Sequence, residues 1–217
     1  MTLLDLLSAA VLAFVMVRLV GGVRHSRGAV GRSIVRQVVR RIRWRHALPV
    51  LPLLTATIAL GWTLMSVPVL GWGWWSAIGG DGNPVFGSTA RSTGTILEWA
   101  VPLIFIVLLV PALPLFALAE ERMFRRGAER WSAPRRVGKV VQFGLVHTLI
   151  GIPIGAALAL SLGGGWFMKV YLDEWRRSGS DSEATLESAA AHTTYNAFIV
   201  GIVLLGVFVT AIADLRG

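Results

Sequence analysis

Residues 95–127, TILEWAVPLIFIVLLVPALPLFALAEERMFRRG, decide what kind of protein this is. From Thr95 to Ala119 the run exceeds the roughly 20 apolar residues that one membrane-crossing helix requires, and it stops at Glu120-Glu121 with Arg122, Arg125 and Arg126 close behind. Similar runs occur at Thr2 to Val20, Ala47 to Leu70, Val137 to Leu172 and Ala184 to Ala213. Across all 217 residues, 54% are hydrophobic and 15% charged, and mean hydropathy is +0.65. That leaves too little polar surface to wrap a water-soluble core. The expected fold is all-α, a polytopic membrane helix bundle.

The absence of cysteine excludes a disulfide framework, a thiolate zinc site and a cysteine nucleophile. The first apolar run lacks a basic leader and a small-residue cleavage site, so it reads as a retained helix. Net charge is +9, from 21 Lys+Arg against 12 Asp+Glu, and its distribution is more informative than its size. Eight arginines and no acid lie between Arg24 and Arg45, and a second basic cluster runs from Arg122 to Lys139, whereas residues 76–94 carry only Arg91. The positive-inside rule places the two basic segments in the cytoplasm and the intervening loop outside. Gly71-Trp72-Gly73-Trp74-Trp75 then suits the outer headgroup level. The stretch Val137 to Leu172 reads as two helices hinged near Gly151-Ile152-Pro153, with Lys169, Arg176 and Arg177 in a cytoplasmic loop. Six transmembrane helices with both termini outside satisfy the charge rule, and five are the alternative.

Within the basic segment 24–46, Ile34, Val35, Val38, Val39 and Ile42 follow helical spacing, with Arg36, Arg40, Arg41 and Arg43 largely between them. This pattern predicts an amphipathic interfacial helix whose arginines meet anionic lipid headgroups, or which simply set topology. Nucleic acid is not an expected partner, because no binding module accompanies the charge. Residues 1–94 therefore form two N-terminal transmembrane helices with this segment between them, and residues 95–217 a four-helix core.

Ionisable groups within membrane helices are costly and mark functional sites. Three clusters stand out here. Glu121 and Arg125 are i,i+4 partners if the third helix continues past Ala119, and Glu120 is turned about 100° from Glu121. Phe143 and His147 share a face of the fourth helix, as His192 and Asn196 do on the last. His25 and His46 flank the basic segment, where an interfacial role suffices. Each cluster has an ordinary explanation alone: a salt-bridged helix cap, a histidine bonded to a carbonyl, an interhelical amide. Together they supply a base, two histidines and an amide able to converge on one water.

In their order and spacing these clusters resemble the CPBP intramembrane proteases, also called the Abi or type II CAAX prenyl endopeptidase family. The family pattern is Glu-Glu-x-x-x-Arg, Phe-x-x-x-His and His-x-x-x-Asn on successive membrane helices, and the match covers about residues 95–213. The interval from His147 to His192 is longer than the pattern leads one to expect. The resemblance implies an intramembrane endopeptidase in which Glu120 and His147 position and deprotonate a water. His192 and Asn196 would stabilise the oxyanion, and Glu121, Arg125 and Phe143 would support them. No cofactor is expected, since the helix-borne His-Glu-x-x-His signature is absent; the alternative is zinc held by Glu120, His147 and His192. The implied substrate is a peptide or membrane-associated, lipidated protein approaching from the cytoplasmic side of a bacterial cytoplasmic membrane. The competing class is a non-catalytic scaffold or bacteriocin-immunity protein. A transporter lacks the paired broken helices that would support it.

Overall fold

The computed structural model describes residues 3–74 and 97–214. Among these residues all regular structure is helical. In chain order the helices are α1 (Leu3–Arg27), α2 (Ala29–Arg40), the single turn α3 (Trp44–Ala47), α4 (Val50–Met65), α5 (Leu97–Leu109), α6 (Leu113–Phe124), α7 (Ala133–Leu145), α8 (Ile154–Ser178) and α9 (Asp181–Asp214). Five stretches are long and apolar enough to cross a membrane: Ala9–Arg27, Trp44–Met65, Ala100–Arg130, Ile154–Ser178 and Asp181–Val209. The protein is an all-α membrane helix bundle. The expected loop at 76–94, Trp75 and the C-terminal Gly217 lie outside the described residues.

The chain forms two compact units, 1–32 with 75–113 and 196–217, and 33–74 with 114–195. In the first, α1 packs on α5, and Ile106, Leu113 and Val200 are buried with Phe105, Leu109 and Val203 against them. Pro111 lacks the amide that would continue α5 regularly, and the chain tightens through Val110–Ala112 before α6 resumes. Outward-facing Phe14 and Val17 are exposed, as expected of helices whose solvent is lipid.

In the second unit α8 is central, packed on α4 and on α7. One end of this unit is set by tryptophans. Ile154 N donates to Trp72 O at 3.0 Å, Gly155 N to Leu70 O at 2.7 Å, and Trp74 Nε1 to Thr148 O at 2.8 Å. The other end is ionic. Buried Glu187 receives Arg45 at 2.5 Å and His46 Nε2 at 2.8 Å, and Arg45 also lies 3.8 Å from buried Glu174. Arg43 N donates to His46 Nδ1 at 3.3 Å, which leaves Nε2 to carry the proton shared with Glu187. The role of His46 is thus to tie the basic segment to α9.

The expected hinge is present. Gly151 adopts φ +88°, a left-handed turn open to glycine, and Pro153 then opens α8. The helix before it is not among the five apolar spans, because Arg135, Arg136 and Lys139 make the first half of α7 too polar. α7 starts where Arg136 donates to the carbonyls of Ala128 and Glu129. The turn that follows it meets Trp74, whose Nε1 donates to Thr148 O.

Two expectations need correcting. Lys169, Arg176 and Arg177 are not in a loop. They lie on the last turns of α8, where Lys169 and Arg176 pair with Asp173 and Arg177 with Glu174, and only Gly179 and Ser180 separate α8 from α9. Local i,i+3 and i,i+4 pairs satisfy these charges on the helix, and Gly179, at φ +68°, ends it. Nor is the apolar face of α2 given wholly to lipid. Val38 is fully buried and Ile34 partly so, against Leu118, Leu186, Ala189 and Ala190, while Val39 and Ile42 remain exposed.

Candidate active site

α6 continues through Glu120 and Glu121 instead of stopping before them, and this continuation buries a charge pair. Glu121 and Arg125 are both 0% exposed, with Nη1 donating to Oε1 at 3.0 Å. Removing both charges from water is expensive, so their remaining polar atoms need partners. Arg125 reaches Gly164 O at 3.4 Å, and its guanidinium carbon lies 4.1 Å from the Phe143 ring centroid and 5.5 Å from that of Phe167, within cation–π range. Ser188 Oγ donates to Glu121 Oε2 at 2.5 Å and lies 2.9 Å from Phe167 O.

His192 completes the cluster from α9. Its ring is 3% exposed and stacks on Phe167, with centroids 4.3 Å apart and planes 20° apart. Nδ1 lies 2.8 Å from Glu121 Oε1. A carboxylate paired with arginine accepts, so Nδ1 carries a proton, and the nitrogen left for other contacts is Nε2. That atom faces Glu120, 3.8 Å from Oε2. Glu120 is 35% exposed, yet its Oε2 is shielded from solvent and has no hydrogen-bond partner among the described residues.

His147 sits in the turn that follows α7, where Nδ1 lies 2.9 Å from Phe143 O and 3.2 Å from Gly144 O. Both are acceptors, so Nε2 is again the free nitrogen. The Phe143 ring is edge-to-face with His147 at 5.3 Å and with His192 at 5.6 Å. Phe143 thus touches both histidines and supports Arg125. Asn196 follows His192 by one turn, at the start of the part of α9 that belongs to the other unit, and it is half-buried.

Glu120, Glu121, Arg125 and His192 meet directly in one unit, and His147 joins them only through the Phe143 ring. The two glutamates have different surroundings: Glu121 is consumed by Arg125, Ser188 and His192, whereas Glu120 retains an oxygen without a partner. Arg36, Arg40 and Arg43 are exposed, as a lipid-surface role requires, but Arg41 is turned to Glu183 and Glu187. As for the zinc alternative, no three His, Asp or Glu side chains among the described residues come together as a metal-holding group.

Ser188, Phe167 and Gly164 were not singled out from sequence. Ser188 could have been, since it stands four residues before His192, as Asn196 stands four after, on a single helix face. Gly164, inside Gly163-Gly164-Gly165, carried the usual small-residue signal of close helix contact. A Cβ there would lie 2.8 Å from Phe143 and 3.2 Å from Arg125. No protein-family model matches this chain, and no curated protein or solved structure matches it significantly.

Proposed function

We propose that this chain is an intramembrane endopeptidase of the CPBP type, which hydrolyses a peptide bond of a membrane-associated or lipidated substrate with a glutamate-activated water. The observation that carries this reading is the pairing of the unpartnered Glu120 Oε2 with His192 Nε2, 3.8 Å apart. That spacing lies just beyond a direct hydrogen bond, so both groups can reach one reacting water. Glu120 takes a proton from the water, and the hydroxide adds to the scissile carbonyl carbon. The C–N bond then breaks as the proton passes to the leaving amine. Charge on the former carbonyl oxygen is met from α9 by His192, through Nε2 when that nitrogen carries a proton. His147, with Nδ1 anchored and Nε2 free, is the second group that can orient the water. The arginine-rich segments favour a bacterial cytoplasmic membrane with the site approached from the cytoplasmic face.

The test is Glu120→Gln in the full-length protein, which keeps size and hydrogen bonding but removes the proton acceptor. Cleavage of a membrane-tethered peptide library should fall by about 10² or more, with the protein still folded in the membrane. Undiminished biological activity in that variant sinks the protease reading in favour of a scaffold or immunity role. A zinc chelator added to the wild type separates mechanisms: unchanged cleavage supports the carboxylate–water route, and loss that zinc restores supports a metal.

A further inference from the structure

Beside the site but on another face of α6, a cavity of about 310 Å³ opens among α2, α6 and α9. Its lining mixes apolar and cationic groups: Ile34, Leu118 and Leu186 supply apolar surface, and Arg122 and Arg126, with the smaller polar Gln37, Ser182 and Thr185, the rest. Arg122 is exposed and has no hydrogen-bond or ion-pair partner among the described residues. Arg126 gives only Nε to Asp181, at 3.0 Å, so both of its terminal nitrogens stay available. Ser182 lies in the first turn of α9 between Asp181 and Glu183, whose carboxylates are engaged by Arg126 and Arg41. Two guanidinium groups lining one cavity suit a phosphate, which arginine binds with paired N–H donors. The apolar part of the lining suits the acyl chains attached to it. The volume is at the small end of ligand sites, enough for a headgroup and not for a folded partner. Basic pockets between membrane helices on the cytoplasmic side are the usual sites of anionic headgroups.

We infer that this cavity is a binding site for the phosphate of one anionic phospholipid, with Arg122 as its principal ligand. This differs from diffuse attraction to the exposed arginines of α2, because it locates one lipid between three helices.

The full-length protein, purified in detergent, is titrated with phosphatidylglycerol, with phosphatidylcholine and with inorganic phosphate, and bound lipid is counted by native mass spectrometry. One phosphatidylglycerol per chain is expected, in preference to phosphatidylcholine. Arg122→Gln should weaken it by about tenfold, and Arg122→Lys should restore part of the loss. Because Arg122 is exposed and unpaired, neither substitution should disturb folding, which helical circular dichroism checks. The double variant Arg24→Gln/Arg135→Gln, on exposed positions outside the cavity lining, should leave the count unchanged. Equal loss in both sets, or no loss with Arg122→Gln, overturns the site. Inorganic phosphate bound as tightly as the lipid overturns the lipid assignment and makes it a free-anion site.

Discussion

His192 holds Nδ1 2.8 Å from Glu121 Oε1 while the same carboxylate receives Arg125 at 3.0 Å. The adjacent glutamate, one residue earlier, faces the other nitrogen of that ring. Two neighbouring carboxylates thereby become unlike groups. One is a buried structural anion and the other keeps an oxygen without a hydrogen-bond partner among the described residues.

This division predicts opposite phenotypes. Glu121→Gln leaves Arg125 buried without its counter-ion and should cost about 3–5 kcal/mol of stability, lowering the thermal midpoint measured in detergent. Glu120→Gln should leave that midpoint nearly unchanged and abolish cleavage. Equal destabilisation by the two substitutions would contradict the assignment.

Glycine contacts around the cluster should rank by what the new methyl meets. At Gly144 a Cβ would sit 2.3 Å from the carbonyl oxygen of Ala157, and at Gly164 its nearest neighbour is a side-chain atom of Phe143 at 2.8 Å. Backbone on α8 yields less readily than a ring, so Gly144→Ala should destabilise more than Gly164→Ala, which falls in the overpacking range of about 1–3 kcal/mol. Gly164→Ala should in addition slow cleavage by displacing Phe143 and Arg125. Thermal melts and kinetics on the same preparations check both.

At the ionic end, Glu187→Ala removes the shared partner of Arg41, Arg45 and buried His46. A loss of about 3–5 kcal/mol is expected, visible as a lowered melting temperature and as new proteolytic sensitivity near residues 41–47. No change would mean that the segment is held by its apolar contacts through Val38 instead.

The path of α7 can be read by labelling. Because the chain has no cysteine, single replacements report sidedness without background. Arg130→Cys and Leu149→Cys should react with impermeant maleimide from opposite faces of the membrane, and a reporter after Gly217 should then read external. Reaction from one face only would make α7 a surface helix and reduce the crossings to five.

The membrane class, the all-α architecture and the hinge at Gly151-Ile152-Pro153 were determined by the sequence alone. Apolar run length and glycine–proline punctuation are local properties, and lipid imposes them residue by residue. Pairing Glu121 with Arg125 followed from the helical period once α6 continued past Ala119. Only the tertiary structure decided what else Glu121 holds and what Glu120 faces, since that depends on Ser188 and His192 arriving from a helix far along the chain. It also decided that Arg41 and His46 hold buried carboxylates while Arg122 stays unpaired in a cavity. Local spacing encodes i,i+3 and i,i+4 pairs, but a partner from a distant element is chosen by competition to satisfy buried charge, which no local spacing records.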